Sequence, residues 1–380
     1  MEWGVLKHDV LQGVLPSQQL KALVESGVIM SPLPLSDTSI QPASMDLRLG
    51  KKGWRVPAAF LNTSNMNISE RLAEYENTYY TLDLSKPAFL EARKTYVFEV
   101  MESINFPKHI RARSNPKSST GRADTFARLI ADGSKNFDII PDGYRGKLYV
   151  LVFPISFDLI VKEGLALNQI RLQAYDPPKL TTSQIEGIYD KYQMMFYKDG
   201  TPIPRECAHI HDGGLFLTID LSETIVGYKS KKNCPPLDLT KVGCHDVPDY
   251  WEPVRRPNNG RLILDPDFFY ILKSKELIRI PTSHAAEIID FHSGIGEFRS
   301  HYAGFYDPGF GYGKSGEIKG AATVFEARVR DTPMEVEDGQ TFCKIVFEKM
   351  SAIPEIAYGV DIKSNYQGQT GVRLGKHFRV

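Results

Sequence analysis

The sequence predicts a mostly β protein that holds two similarly built barrels or sandwiches and a few short helices. The chain has 380 residues, which exceeds one domain of ordinary size and favours two. Short apolar segments separated by Gly, Pro, Asn and Asp recur along it, a pattern typical of many short strands. Several of these segments return in the second half in the same order, which indicates an internal repeat.

The repeat consists of five pairs of segments at similar offsets along the chain. The pairs are 45–47 with 219–221, 89–93 with 269–273, 143–144 with 309–310, 162–164 with 337–339, and the strand-like 169–172 with 343–347. Chance could produce one such match, but five in order indicate two copies of one fold. We therefore predict domains at residues 1–195 and 196–380, with the join inside the polar stretch 178–212.

Local patterns predict individual elements of the first copy. Residues 17–26 predict a helix with Ser17 as its N-cap and Gly27 at its end. Its apolar face holds Leu20, Leu23 and Val24. The segments 44–49, 95–100 and 147–153 predict strands.

Charge and hydropathy argue against several classes of partner. Lys plus Arg and Asp plus Glu number 46 each, so no broad field draws the chain to nucleic acid. Any bound polyanion would have to be small and held by a local cluster. No apolar run reaches about 18 residues, so we expect no membrane span. Residues 1–13 lack an apolar signal core, which favours a cytoplasmic protein.

Cysteine and histidine side chains cluster in sequence between residues 207 and 245 and raise the question of zinc. The cluster consists of Cys207, His209, His211, Cys234, Cys244 and His245. Zinc deaminases of nucleobases carry H-x-E followed by P-C-x-x-C. Here Asp212 follows His211, and two prolines follow Cys234, so neither part of that pattern is complete. We predict no bound zinc and reduced thiols.

Residues 115–122 form a candidate binding segment in which hydroxyls and cations follow a proline closely. Lys117, Ser118, Ser119, Thr120 and Arg122 all fall within it. Hydroxyls and backbone N–H groups at the start of a helical turn bind phosphate oxygens, and Lys and Arg neutralise them. The alternative is a solvated helix cap, which Ser and Thr often form.

Glu326 is the second candidate, because residues 323–329 predict a strand in which this carboxylate is set among apolar side chains. It could instead be a surface residue of an edge strand or a partner of Arg328. The repeat favours a specific role, since the first copy has the apolar Leu151 at the corresponding position. A buried carboxylate has a raised pKa, which suits proton transfer.

Five segments together resemble motifs of the deoxycytidine triphosphate deaminase family. They are 40–50, 117–122, 307–310 (Asp-Pro-Gly-Phe), 324–326 and 366–371. They span nearly the whole chain, and the set is far more specific than any single member. The chain looks most like the double-length branch, in which two barrels are fused. The resemblance implies the trimeric dUTPase fold, a distorted β-barrel or jelly roll.

The resemblance also implies an activity, the hydrolytic deamination of dCTP to dUTP and ammonia in pyrimidine deoxynucleotide metabolism. Glu326 would take a proton from the water that attacks C4 of cytosine and would pass protons to N3 and to the leaving ammonia. Ser118 and Arg122 would lie near the ring and this water. The other nucleotide-binding residues would be Lys117 and Ser119 at the triphosphate, Asp307 at the deoxyribose, Val324, Tyr366, and Gln369 in a C-terminal lid. Mg²⁺ would bridge the phosphates, and no zinc would be needed.

Two other functions stay open at this point. A dUTPase, or a bifunctional enzyme that continues to dUMP and pyrophosphate, would use the same fold. A non-catalytic nucleotide-binding regulator is the third interpretation, because one copy has already lost the acid. We expect dCTP and dUTP as ligands, dTTP as a candidate inhibitor, and a homo-oligomer.

Neither copy carries a complete site, which predicts a composite one. Lys117 stands where single-barrel members usually have Arg, and this weakens bidentate phosphate contact. The first copy has Leu151 in place of the acid, and the second has no Ser-Ser-x-x-Arg near 288–293. The first barrel would supply the phosphate segment and the second the Glu and the lid. The sequence leaves open whether both come from one chain.

The glycine-rich residues 309–316 look like a phosphate-binding loop that even ends in Lys-Ser-Gly. A P-loop needs a buried strand before it, a helix after it and a different Gly spacing. We interpret this segment as a long, mobile hairpin insertion.

Overall fold

The computed structural model describes residues 12–36, 38–61, 66–289, 298–299, 302–359, 361 and 366–379, with 298–299 described by backbone alone. Strands dominate this part of the chain, and the helices in it are short. The prediction of a mostly β fold is confirmed. The first half contains β1 (Gly13–Val14), β2 (Ile29–Met30), β3 (Met45–Val56), β4 (Thr81–Asp83), β5 (Ala88–Leu90), β6 (Thr95–Asn105), β7 (Ile110–Pro116), β8 (Thr125–Ala131), β9 (Ile139–Ile140), β10 (Arg145–Pro154), β11 (Leu159–Val161) and β12 (Ala166–Ala174).

The second half has a comparable set of strands. They are β13 (Met195–Phe196), β14 (Ile210–His211), β15 (Gly214–Thr218), β16 (Ile225–Ser230), β17 (Leu237–Asp238), β18 (Trp251–Arg255), β19 (Arg261–Leu264), β20 (Tyr270–Ile278), β21 (His284–Ile289), β22 (Phe298–Arg299), β23 (Phe305–Tyr306), β24 (Ala321–Val329), β25 (Met334–Glu337) and β26 (Thr341–Lys349). The helices are α1 (Ser17–Glu25), α2 (Ile68–Glu76), α3 (Ser118–Gly121), α4 (Thr182–Tyr192) and α5 (Val247–Tyr250), with a 3₁₀ turn at Arg205–Cys207.

Ten strands of the first half form one sheet that curls into a nearly closed barrel. Its order is β8-β10-β6-β3-β12-β7-β9, with β1, β2 and β4 paired at its margins. The two ends of this order approach each other, since β8 contacts both β7 and β9. The second half divides the corresponding strands between two sheets, β18-β16-β20-β24-β22 and β14-β15-β26-β21-β23. One large apolar core lies within the second half, and the other fills the first half and continues into the second through residues such as Trp251, Phe269 and Phe378.

Equivalent hydrogen bonds relate the two halves residue by residue. The hydroxyl of Tyr96 accepts the N–H of Glu91 at 3.0 Å, and that of Tyr270 accepts the N–H of Asp265 at 3.0 Å. Val152 lies opposite Tyr96, and Ala327 lies opposite Tyr270. The residues before these two are Leu151 and Glu326. The strand register therefore puts Leu151 and Glu326 at equivalent positions, as predicted.

Two of the five predicted segment pairs are wrong, because the strands pair in a different register. Tyr96, not a residue of 89–93, is the counterpart of Tyr270, and 89–90 belong to the separate strand β5. Leu49 is the counterpart of Ile219: their N–H groups donate to Leu165 and Gln340, both at 2.9 Å. The pair 45–47 with 219–221 is therefore displaced by four residues along the strand.

The pairs around the glycine turns are confirmed. Gly164 donates to the carbonyl of Leu49 at 2.8 Å, and Gly339 donates to that of Ile219 at 2.9 Å. In the same way the carbonyl of Tyr144 accepts from Phe106 and that of Phe310 from Ile280, both at 2.8 Å. Turn geometry was thus a better guide to the repeat than apolar strand residues, whose pattern is alike at several registers.

The first helix is confirmed, but its predicted N-cap is wrong. α1 begins at Ser17, and Pro16 is the cap residue, with its carbonyl accepting from Leu20 at 3.0 Å. The Ser17 hydroxyl donates to the side chain of Gln18 instead. Because a proline side chain has no hydrogen-bond acceptor, α1 begins without a side-chain cap. Gly27, at φ 72°, ends the helix as predicted.

The two halves interlock rather than sit side by side. β17 of the second half pairs in parallel with β11 of the first, and Val14 forms a bridge with Met350. The last described residues return to this junction, where Phe378 packs among Tyr250 and Trp251. No helix within the described residues is long and apolar enough to cross a membrane.

Candidate active site

The segment predicted to bind phosphate forms a helical turn at the end of β7. Lys117 is the residue before α3, and its N–H is anchored on the carbonyl of Leu167 at 3.0 Å. Its carbonyl accepts from Gly121 at 3.0 Å, which closes the turn. Its ammonium forms an ion pair with the carboxylate of Asp46 on β3. The predicted helical turn is confirmed, and its first residues face a cavity.

Glu326 lies in the middle of β24 and is almost completely buried, with 2% of its surface exposed. Its Oε2 accepts the N–H groups of Tyr302 at 2.8 Å and Ala303 at 2.9 Å. Arg328 pairs with Asp124 rather than with Glu326. The two alternatives considered for this residue, an exposed side chain and a pair with Arg328, are therefore both wrong.

The environment of Glu326 raises the pKa of its carboxyl from 4.5 to about 7. Burial is the largest cause, since it disfavours the charged form. The N–H of Ala303, the charge of Arg122 and the N–H of Tyr302 limit the rise, and the charge of Asp124 adds to it. Such a group can both accept and donate a proton near neutral pH.

The helical turn of the first half and the carboxylate of the second half are in direct contact within one chain. A Cβ atom placed on Gly121 would lie only 2.3 Å from Oε2 of Glu326. Glycine is therefore required at this position for the carboxylate to approach the turn. The α3 turn and the carboxylate, which the repeat predicts to act together, therefore meet within one chain.

A cavity of about 360 Å³ opens between these two elements. It is lined by all nine residues that the resemblance assigned to the site: Lys117, Ser118, Ser119, Arg122, Asp307, Val324, Glu326, Tyr366 and Gln369. They come from the α3 turn, the β23–β24 connection, β24 and the C-terminal segment. Residues far apart in sequence are thus brought to one place by the fold.

Arg122 and the C-terminal segment cover one side of this cavity. The Arg122 guanidinium lies 3.7 Å from the ring centre of Tyr366 and donates to the carbonyl of Arg373 at 2.7 Å. Gln369 is hydrogen-bonded to β24 on both sides of one residue. Its side-chain Nε2 donates to the carbonyl of Ala322, and its backbone carbonyl accepts the N–H of Ala322, both at 2.7 Å. The segment predicted to be a lid therefore lies against the site in a closed arrangement.

Asp307, a buried carboxylate, also lines this cavity. It accepts from the hydroxyl of Ser44 at 3.1 Å and from the guanidinium of Arg171 at 3.3 Å. Burial raises the pKa of this carboxyl, while the charge of Arg171 opposes the rise. The glycine that follows in this turn, Gly309, has φ 97°, and a side chain there would collide with the backbone of Tyr358.

Sequence reasoning missed several lining residues. The most informative are Asp46, which pairs with Lys117, and Lys376 from the C-terminal segment. Burial and the nearby charge of Lys117 lower the pKa of Lys376, so two ammonium groups face the same part of the cavity. The other missed lining residues include Thr38, Gln41, Gln169, Val242, Phe305 and Tyr358. Asp46 lies within a recognised motif, whereas no local signal pointed to Lys376.

The position equivalent to Glu326 in the first half is filled by apolar side chains. Leu151 packs in a cluster with Trp54, Val97 and Ile130. Helix α2 adds Ile68 and Leu72 to this cluster and covers it from outside. At this position the first half thus has a leucine in a small hydrophobic core, whereas the second half has an acid facing a cavity.

The cysteine and histidine cluster has other contacts. His245 bonds through Nδ1 to the hydroxyl of Tyr250 and through Nε2 to the carbonyl of Asp238, both at 3.1 Å. Cys207 and Cys244 are exposed, and all four thiols are free. Among the described residues, no group of three His, Cys, Asp or Glu side chains is placed to hold a metal ion.

The glycine-rich segment 309–316 is a series of turns that leads into β24. A strand follows it, not the helix that a P-loop requires. The carboxylate of Glu317 accepts the N–H groups of Lys314 at 3.0 Å and Ser315 at 2.9 Å and so organises its tip. The interpretation as a hairpin is wrong, because no strands pair within it. Residues 290–293, predicted to correspond to the phosphate segment, lie outside the described residues.

Comparisons with known proteins agree with this architecture. Two family models match in succession: the N-terminal domain of 2′-deoxycytidine 5′-triphosphate deaminase over residues 11–176 and its C-terminal domain over 191–378. The solved structure of 2′-deoxycytidine 5′-triphosphate deaminase from Agrobacterium tumefaciens is 36% identical, with a TM-score of 0.83. That similarity covers 92% of this chain and 99% of the other.

More distant relatives match parts of the chain. A protein of Methanosphaera stadtmanae named "dCTP deaminase, dUMP-forming" is 28% identical over 162 residues, 41% of this chain and 75% of the relative. One of Streptomyces griseus with the same name is 27% identical over 225 residues, 58% of this chain and 94% of the relative. The two consecutive domain matches and the full-length structural similarity show that this chain belongs to the 2′-deoxycytidine 5′-triphosphate deaminase family.

Proposed function

We propose that the cavity between the two halves converts dCTP and water to dUTP and ammonia. The observation that carries the proposal is the buried Glu326, whose pKa of about 7 allows it to transfer protons in either direction. It lies at a cavity that is also lined by two lysines and by the hydroxyl-bearing residues Ser118 and Ser119 of a helical turn. A group that moves protons and a group that holds phosphate are therefore adjacent.

The proposed reaction uses Glu326 as a proton shuttle. Two backbone N–H groups hold its Oε2, which orients the carboxylate toward the cavity. The carboxylate would take one proton from water as the water oxygen bonds to C4, and would deliver it to N3. It would then take the second proton from the C4 hydroxyl and deliver it to the amino group. Ammonia departs with the C4–N bond electrons, and the carbonyl of the uracil ring forms. Ser118 and Arg122 would position the ring and the water.

The remaining lining residues would hold the rest of the nucleotide. Lys117 and Ser119 at the α3 turn, with Lys376 nearby, suit the triphosphate because cations and hydroxyls bind phosphate oxygens. Asp307 would accept a hydrogen bond from a hydroxyl of the deoxyribose. Val324 and Tyr366 would pack against it, and Gln369 would keep the C-terminal segment closed.

Mg²⁺ fits this arrangement as an ion that binds together with the triphosphate. The cavity carboxylates Asp46 and Asp307 are already paired with Lys117 and Arg171. Mg²⁺ typically keeps several waters and binds through one or two carboxylates together with substrate phosphates. We expect the phosphates to supply most of its ligands, and the ion to neutralise their charge.

The direct test is to incubate the protein with dCTP and Mg²⁺ and to measure ammonia. Pyrophosphate is measured in parallel with dUTP as the substrate, because several relatives carry the name "dUMP-forming". Ammonia from dCTP without pyrophosphate supports a deaminase, and both products support the bifunctional alternative. Binding of dCTP without either product would support the non-catalytic regulator.

We further propose that the chain is a tandem duplication of one barrel whose two domains join within residues 178–212. The equivalent hydrogen bonds of the two halves support this, as do the two consecutive domain matches. Self-association and inhibition by dTTP are part of the same proposal. Sedimentation and a dTTP titration of the deamination rate test them.

A further inference from the structure

A buried ionic cluster next to the cavity connects the two halves of the chain. Asp124 follows the α3 turn and is fully buried at φ 49°, a left-handed conformation that few residues other than glycine adopt. Its carboxylate forms an ion pair with Arg328 on β24. It also accepts from the hydroxyls of Ser156 at 2.6 Å and Tyr302 at 2.8 Å. Two of its partners belong to the second half and one to the first.

Both second-half partners of Asp124 lead back to Glu326. Tyr302 donates its hydroxyl to Asp124 and its backbone N–H to Oε2 of Glu326, so one residue contacts both carboxylates. Arg328 lies two residues beyond Glu326 on the same strand and therefore on the same face. Asp124 itself lies three residues beyond Gly121, which touches Glu326. A single carboxylate thus links the strand, the N–H donor and the helical turn around Glu326.

The ring of Tyr302 is fixed as well as its hydroxyl. It packs edge-on against Phe126 with 5.0 Å between ring centres and against Phe269 with 5.6 Å. The guanidinium of Arg328 donates to the hydroxyl of Ser156 at 3.0 Å and to the carbonyl of Pro266 at 3.3 Å. These contacts fix the ring of Tyr302 and the guanidinium of Arg328 on either side of Asp124.

We propose that Asp124 is a positioning residue for Glu326 and that it acts across the two halves through Tyr302 and Arg328. The inference rests on the proposed function, in which Glu326 transfers protons. Asp124 does not line the cavity, so it is not expected to touch the nucleotide. Its role would be to keep the N–H donor of Tyr302 and the strand of Glu326 in register with the α3 turn.

The groups that face Glu326 determine how a change at Asp124 alters the ionisation of the Glu326 carboxyl. Arg122 approaches from α3, Tyr306 from β23, Tyr366 from the C-terminal segment, and Arg328 lies on the same strand. Burial raises the pKa of both tyrosines, so they stay neutral while Glu326 titrates. Removing the negative charge of Asp124 leaves the two arginines, which favour the ionised form of Glu326.

The experiment compares Asp124→Asn and Tyr302→Phe with the full-length wild-type chain. We expect kcat for dCTP to fall at least tenfold in Asp124→Asn and about threefold or more in Tyr302→Phe, because a displaced reacting group loses rate steeply. KM for dCTP should change less than about threefold, since the phosphate contacts are elsewhere. The acidic limb of the pH profile of kcat/KM should move to lower pH in Asp124→Asn by about half a unit or more.

Tyr189→Phe is the matched control. Tyr189 is equally buried and its hydroxyl donates to the carbonyl of Ile203 at 2.7 Å, but it belongs to α4, away from the cavity. The Tyr189→Phe variant should lose about as much stability as Tyr302→Phe, and it should keep the wild-type kcat and pH profile. Unchanged kcat and an unchanged acidic limb in both test variants would overturn the proposal. If Asp124→Asn does not fold, Tyr302→Phe decides through kcat, because it keeps the ring and the backbone N–H.

A second readout does not depend on turnover. The side-chain carboxyl ¹³C resonance of Glu326, assigned by its loss in Glu326→Gln, is titrated in wild type and Asp124→Asn. A lower midpoint in Asp124→Asn supports the positioning role, and an identical midpoint contradicts it. Wild-type protein that releases no ammonia from dCTP would refute the proposed function alone, whatever this titration shows.

Discussion

Replacing Glu326 with glutamine tests the main electrostatic feature of the site, a buried carboxyl with a pKa near neutrality. The pKa is about 7 in the folded protein and 4.5 for the ordinary group, and burial is the largest cause. Glutamine has nearly the same shape, and its side-chain oxygen can accept the N–H groups of Tyr302 and Ala303. It cannot ionise, so the variant isolates the effect of the proton.

The expected effect on stability follows from the two pKa values. The unfolded chain releases the Glu326 proton near pH 4.5, whereas the folded protein holds it until about pH 7. The contribution to stability is therefore complete below pH 4.5, falls as the pH rises through this window and is constant above it. Between pH 5 and pH 8 the wild type should lose about 2–3 kcal/mol that the variant does not lose. This corresponds to a relative change in Tm of about 3 °C.

Denaturant unfolding of both proteins at pH 5 and pH 8 measures this difference, and ammonia release from dCTP measures activity. We expect kcat of Glu326→Gln to fall roughly 10³-fold or more while dCTP binding persists. Glu74→Gln, a change at an exposed residue of α2, is the control and should show neither effect. An equal stability difference at both pH values would refute the raised pKa. A kcat within about tenfold of wild type would refute proton transfer by Glu326.

Other changes test the surroundings of the site. Gly121→Ala places a methyl group 2.3 Å from the Glu326 carboxylate and should lower kcat by roughly 10²-fold; Gly187→Ala in α4 meets nothing within 4 Å and is the control, expected to fold as well or slightly better. Lys376→Ala should raise KM for dCTP by about tenfold with little change in kcat, since a charge-assisted phosphate contact contributes about 1.5 kcal/mol or more; an unchanged KM would remove this residue from the phosphate site. Leu151→Glu should lower the unfolding free energy by about 3 kcal/mol or more without creating a second site, because the charge is buried without a partner; wild-type stability would show that this cluster admits water.

Local sequence patterns determined much of the fold. The short strands, the first helix and the helical turn at 117–122 follow from residues that lie next to one another, because capping, turns and strand alternation act over a few positions. The internal repeat predicted that Leu151 corresponds to Glu326, and the strand register agrees. The two segment pairs that failed lie on strands, where an apolar pattern of period two fits more than one register.

Only the tertiary structure decided that the α3 turn of the first half meets Glu326 of the second half within one chain. The contact between Gly121 and Glu326 joins residues about two hundred positions apart, and no local signal measures such a distance. The same holds for Lys376, for Asp124 with its partners in the other half, and for the pKa of Glu326. These properties depend on burial and on charges brought together by folding. The sequence alone determined which chemical groups are present, and the packing of the two barrels determined which of them act together.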